Sequence, residues 1–137
     1  MSAYRSKPPG PPVLVVAFGD GVRGLDARTG KVIWEHEPCR GRWTLQVTRT
    51  AVYAANGEVL VCLDYLSGAV RWSVPIVRCL CPTLLLEADC LYVGAEGEVA
   101  CISLDGKRLW HNELTGKGTA SVSLGCPGNV AQAELDT

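Results

Sequence analysis

The sequence predicts an all-β chain built from copies of one four-stranded antiparallel unit, and three observations predict it. Trp34, Trp72 and Trp110 lie 38 residues apart in each step, and Gly30, Gly68 and Gly106 keep the same step. A fixed period of that length marks a repeat architecture. Short apolar runs are separated by Gly-containing turns every roughly 8–12 residues, the spacing of short strands. No stretch sustains apolar residues at helical spacing, so helix is not expected.

Taken in order, residues 1–12 carry five prolines and glycines after Lys7 (Pro8-Pro9-Gly10-Pro11-Pro12) and cannot enter a sheet interior, because proline lacks the amide donor. They are expected to form an extended, flexible arm; a proline-motif ligand for a partner domain is the functional alternative. The continuous apolar run 13–18 suits a strand buried on both faces. Strands at 22–25 and 31–37 complete the first unit. The second unit reads as strands 43–48, 51–55, 58–64 and 69–75, and the third as 83–87, 90–94, 98–103 and 107–113. A surplus opening strand is expected at 118–124, followed by a flexible tail over 125–137. The first unit lacks its opening strand while the chain ends on a spare one, the pattern of a ring sealed by its own termini, which removes free sheet edges.

The repeated stretch itself has a physical reading. It runs Leu25-Asp26-Ala27-Arg28-Thr29-Gly30-Lys31-Val32-Ile33-Trp34, returns as Leu63-Asp64-Tyr65-Leu66-Ser67-Gly68-Ala69-Val70-Arg71-Trp72, and returns again, one residue shorter, as Ile102-Ser103-Leu104-Asp105-Gly106-Lys107-Arg108-Leu109-Trp110. Asp26 and Asp64 are placed to accept turn amides, and the glycines supply a positive φ. Asp105-Gly106 suits a two-residue type I′ hairpin. Each Trp is expected to wedge between neighbouring sheets. Gly24, Cys62 and Cys101 put small residues where sheets approach closely.

Composition bounds the function. Hydrophobic residues at 47% and charged residues at 20% describe a folded chain rather than a disordered one. A net charge of −1 gives no general attraction to nucleic acid or to an anionic membrane, so neither is an expected partner. No apolar run reaches the roughly 18–20 residues of a membrane-spanning helix, and the N-terminus lacks the apolar core of a secretion signal. Seven cysteines, an odd number lying partly inside apolar strands, favour reduced thiols and a cytoplasmic location.

The recurring turn, Gly and Trp resemble the PQQ-like β-propeller repeat, whose blades read Leu-Asp-x-x-Thr-Gly-x-x-x-Trp; the resemblance covers about residues 13–124 in three copies. It implies radial blades of four antiparallel strands. The family includes quinoprotein dehydrogenases and cofactor-free scaffolds such as an outer-membrane assembly lipoprotein. The dehydrogenases set a vicinal Cys-Cys pair against the quinone, whereas the nearest approach here is Cys79-Leu80-Cys81, and neither their calcium ligands nor their catalytic aspartate map onto the chain. The lipoprotein's lipobox is missing as well. Propellers have about four to eight blades, so about three per chain are expected to become six by dimerisation, with 118–124 completing the partner's first blade. A piece of a longer propeller is the alternative.

Few residues suggest chemistry. Cys79 and Cys81 would share a face on a strand, but two thiols make half a zinc site and neither His36 nor His111 has ligand spacing; packed reduced thiols are the preferred reading, with no metal and no cofactor expected. Arg40 and Arg78 are 38 residues apart, and Arg42 and Lys117 lie in the same inter-blade segments. Doubled in a dimer, they could ring the channel mouth and hold an anion or an acidic peptide; solvated loop charge is the competing role. Trp43 breaks the Trp period and could stack on a ligand or fill core. No nucleophile and base, phosphate loop or paired carboxylates can be read. The expected function is therefore a non-enzymatic scaffold for protein or peptide interaction, using Arg40, Arg42, Trp43, Arg78 and Lys117. A lectin-like carbohydrate- or small-ligand-binding propeller is second, and a quinone-dependent oxidoreductase third.

Overall fold

The computed structural model describes residues 12–76 and 78–133. The arm expected over 1–12 thus lies, apart from Pro12, outside the described residues. Thirteen strands form four antiparallel sheets. The first holds β1 (Val13–Phe18), β2 (Gly21–Asp26) and β3 (Val32–His36). The second holds β4 (Thr44–Val47), β5 (Ala51–Ala55), β6 (Val59–Asp64) and β7 (Val70–Pro75), and the third β8 (Thr83–Glu87), β9 (Cys90–Ala95), β10 (Glu98–Ser103) and β11 (Arg108–Asn112). The last pairs β12 (Leu124–Cys126) with β13 (Asn129–Ala131). No helix is long and apolar enough to cross a membrane among the described residues.

Strand order follows chain order in every sheet. The opening strands β4 and β8 lie beside each other, β1 lies beside β4, and β12 and β13 lie beside β8. The sheets therefore converge on their opening strands, as propeller blades do. The expected strands are present with small changes of boundary, except at the end of the chain. Residues 118–123 form no strand, and the expected flexible tail from 125 contains most of a hairpin instead. Two features cause this. The connection into the last sheet has eleven residues (113–123), against seven in the earlier ones (37–43 and 76–82), so the period slips. Gly128, with φ of 73°, then turns β12 back onto β13. The strand count by sheet is three, four, four and two, not three, four, four and one.

Period-2 alternation divides the core into two interfaces. Val52, Ala54, Val61 and Leu63 of the second sheet pack with Val13, Val22 and Trp34 of the first. Ala51, Tyr53, Ala55, Leu60 and Cys62 pack on the opposite side with Leu84, Leu91, Val93 and Ile102 of the third. All five residues of β5 are consequently buried. The expectation of a fully buried strand at 13–18 fails, because the first sheet has a neighbour on one face only among the described residues. Leu14 and Phe18 are 55% and 63% exposed.

The repeated turn explains how the sheets lock. Asp64 Oδ2 accepts the amides of Leu66 and Ser67, and Asp26 Oδ1 accepts that of Arg28. Arg71, followed by Ser67, holds the Asp64 carboxyl down at about 2. Gly30, Gly68 and Gly106 have φ of 79°, 74° and 92°. Gly68 and Gly106 have a second reason to lack a Cβ, which would stand 2.5 Å from the Trp34 ring and 2.8 Å from the Trp72 ring. Each ring also donates Nε1 to the carbonyl beside that turn: Trp34 to Tyr65 at 3.0 Å, Trp72 to Leu104 at 2.8 Å. The Trp of one sheet thus seats on the turn glycine of the next. Trp110 has no such seat among the described residues and is 48% exposed. A β-bulge recurs at Gly24/Leu25, Cys62/Leu63 and Cys101/Ile102. The type I′ expectation at Asp105-Gly106 is corrected, since only Gly106 has positive φ. The Gly106 amide bonds the Ser103 carbonyl and the Ser103 amide bonds Lys107, giving a three-residue loop closed by a left-handed glycine.

Candidate functional site

Each connection between sheets is held by a backbone hydrogen bond to a turn, donated by the connection in the first two cases and by the turn in the third. Gly41 donates to the Gly19 carbonyl at 2.9 Å, Cys79 to Gly57 at 3.1 Å, and Gly97 to Ala120 at 2.8 Å. In each case an inter-sheet connection crosses the turn between the second and third strands of the preceding blade. The chain crosses so closely that a Cβ on Gly57 would collide with the Cys79 carbonyl, and one on Gly97 with that of Gly118. All three connections therefore lie on one face, in fixed positions.

That face carries the five candidate binding residues read from the sequence, Arg40, Arg42, Trp43, Arg78 and Lys117. Arg40, Arg42, Arg78 and Lys117 are exposed on the three connections. Arg78 reaches Glu58 at 3.0 Å, a pair too exposed to contribute more than about 0–1 kcal/mol. Arg40, Arg42 and Lys117 form no ion pair among the described residues. Asp20, on the turn beneath the first connection, is held below the usual carboxylate value chiefly by a hydrogen bond from Arg23, with a smaller contribution from the Arg40 charge. Trp43 is half-buried; it packs on the core between the first two sheets and donates Nε1 to the Gly19 carbonyl at 3.3 Å. Its role in the fold is to wedge the first connection onto its turn.

Cys79 and Cys81 border a cavity of about 110 Å³ with Leu80, Glu96, Thr119 and Ser121. Burial, then the neighbouring Glu96 and Cys81, pushes the Cys79 thiol up to about 11. A thiol so placed is protonated at neutral pH and is a poor nucleophile or metal ligand. His36 is half-buried with Nε2 unbonded, and burial lowers its pKa. His111 instead meets Glu98 at 2.5 Å.

Asn56 was not legible as a site residue, yet it organises this face. It is fully buried; Oδ1 accepts the amides of Glu58 and Val59, and Nδ2 donates to Cys39 Sγ at 3.2 Å. One side chain thereby ties the turn to the first connection. The Asn56-Gly57 dipeptide is the sequence signal, but it announces only a turn. Asn56→Ala leaves the part-buried amides of Glu58 and Val59 without their acceptor at a position where the side chain itself is fully buried, and is expected to destabilise the protein by about 1–3 kcal/mol, read from the urea midpoint.

A family model described as outer membrane protein assembly factor BamB, built on PQQ-like repeats, matches residues 18–131. The chain belongs to this PQQ-like repeat family. Its fold is the family's β-propeller architecture. A comparison with curated proteins gives no match. Among solved structures, BamB from Moraxella catarrhalis is 25% identical with a TM-score of 0.58, over 82% of this chain and 33% of that one. Quinohemoprotein alcohol dehydrogenase from Comamonas testosteroni is 19% identical with a TM-score of 0.56, over 73% and 19%. The computationally designed protein Ika8 is 16% identical with a TM-score of 0.63, over 87% and 39%. The last two show the fold alone. The PQQ-like repeat chain spans about a third of the length of the Moraxella protein.

Proposed function

We propose that the chain is a non-enzymatic propeller scaffold that docks an acidic segment of a protein partner on the face crossed by the inter-sheet connections. The observation that carries this reading is the placement of Arg40, Arg42 and Lys117, exposed and outside any described ion pair, on connections held by backbone hydrogen bonds. Cationic groups on a fixed frame meet an anionic partner with little ordering cost. Membership of the BamB-described family supports a role in protein interaction. Cys79 and Cys81 are separated by Leu80 and do not form the vicinal cysteine pair that the related dehydrogenases set against the quinone.

The scaffold would close its ring with a second copy of the chain, each supplying sheets to the other. The motive is that β1 pairs only with β2 and β13 only with β12, leaving one edge of each without a described partner strand. The element presented to the partner is then the hairpin β12–β13, rather than a single strand at 118–124, and it carries one strand more than the three-stranded first sheet lacks. The odd cysteine count remains the reason to place the protein in the cytoplasm.

The test is fluorescence polarisation with a labelled Glu/Asp-rich peptide. Binding that weakens with salt, and at least tenfold in R40E/R42E/R78E, is expected. Equal affinity for that variant would sink the proposal. Sedimentation at micromolar concentration should give twice the chain mass of 14.6 kDa; a single-chain mass would remove the dimer.

A further inference from the structure

The repeat is broken at one interface. On the face of the second sheet turned toward the first, Val61 stands opposite Ser73 and Leu63 opposite Val70. At the same register in the third sheet, Ala100 stands opposite His111 and Ile102 opposite Arg108, while Val59, which opens β6, is matched by Glu98, which opens β10. Val61 is buried in the packed core between the first two sheets. Ala100, with two methyl groups fewer, leaves a gap between the second and third sheets. The gap forms part of a cavity of about 290 Å³, floored by Ile76, Val93 and Ala100 and bordered by Glu98, His111 and Arg108.

The polar groups are arranged by sign. At one end the Glu98 carboxylate is occupied by His111 Nε2 at 2.5 Å. At the other end Arg108 forms no ion pair among the described residues. Glu98 and Ile102, which faces Arg108, are four residues apart, or about 13 Å along an extended strand. Between the ends the side chains are apolar. Such a floor offers a sugar no hydrogen-bond partners, and no Trp, Tyr or Phe ring lines it. It does match a hydrocarbon body with one anionic end, which an arginine fork binds in bidentate fashion. The volume equals that of about ten water molecules at roughly 30 Å³ each, which suits a ligand of about ten non-hydrogen atoms.

We infer that this inter-sheet slot is a binding site for a small linear monocarboxylate, with the carboxylate on Arg108 and the chain laid over Ala100 and Val93. The site shares Ile76 with the second connection, but its anionic-ligand group, Arg108, lies on β11 and is not among the docking-face residues, so the assignment does not rest on peptide binding.

Isothermal titration with sodium octanoate below its micellar range tests the assignment, with octan-1-ol as the uncharged isostere. Saturable one-to-one binding of octanoate is expected, at least tenfold weaker for octan-1-ol and at least tenfold weaker in R108M. A100V restores the valine of the second sheet and should abolish binding while leaving the far-ultraviolet spectrum and urea midpoint near those of the parent. Failure of octanoate to saturate, equal binding of octan-1-ol, or undiminished binding by folded A100V or R108M would each overturn the site.

Discussion

Trp34→Ala is expected to destabilise the protein by about 3–5 kcal/mol, the range for truncating a large buried aromatic. The upper half of that range applies. The ring is 6% exposed and is sandwiched between Gly24 of its own sheet and Gly68 of the next, where an added Cβ would strike it from either side. Two glycines have no side chain that can collapse into the space vacated, so the cavity persists. The Nε1 bond to the Tyr65 carbonyl is lost as well, leaving that acceptor to find water. Against a typical total of about 5–15 kcal/mol, such a loss threatens folding at physiological temperature. Trp110→Ala is the internal control. The same residue type at the same repeat position is 48% exposed and meets Tyr92 with ring centroids 6.1 Å apart, so its loss should be well under half as large. Urea midpoints for the two variants decide the matter. Equal losses would mean that Trp34 is not the wedge between sheets.

Most of the architecture was written in residues that serve two purposes at once. A glycine that must be left-handed and must also sit under a tryptophan tolerates no substitute, so the pairs Trp34–Gly68 and Trp72–Gly106 surface in the sequence as a rigid period. Strands alternating between two packed interfaces, such as Ala51–Ala55, read as apolar runs for the same reason. The last sheet departs from the period because its connection is four residues longer than its predecessors, and a loop's length leaves no periodic trace. The exposure of Leu14 and Phe18 was equally invisible, since an apolar run does not say whether a neighbouring sheet exists. At the candidate site the charges could be located by the spacing of Arg40 and Arg78, but what fixes their connections is backbone. The crossing hydrogen bonds and Asn56 carry no charge pattern. The inter-sheet slot is legible only once Ala100 is set against Val61, because an alanine in a strand does not reveal that its counterpart is a buried valine.

Gly97→Ala should produce the second large effect, and its origin can be separated into two parts. Gly97 has φ of 74°, which strains an L residue by about 1 kcal/mol. Its Cβ would also collide with the Gly118 carbonyl, a backbone atom that can yield only if the whole connection moves. That displacement breaks the bond from the Gly97 amide to Ala120 and releases the segment carrying Lys117. A total loss of about 3 kcal/mol is expected, combining strain with a displaced backbone contact. Gly19→Ala isolates the first part: its φ is 60°, but nothing lies within 4 Å of the added Cβ, so about 1 kcal/mol is its full cost. Gly57→Ala isolates the second: its φ lies outside the left-handed range, yet its Cβ would meet the Cys79 carbonyl. The ordering Gly97 greater than Gly57 greater than Gly19 in urea midpoint follows. In Gly97→Ala the amide at 97 should also lose hydrogen-exchange protection, and trypsin should cut after Lys117 faster than in the parent. If Gly19→Ala matched Gly97→Ala in both midpoint and trypsin sensitivity, the connections would be loosely tethered loops, and the rigid frame on which the docking face depends would be gone.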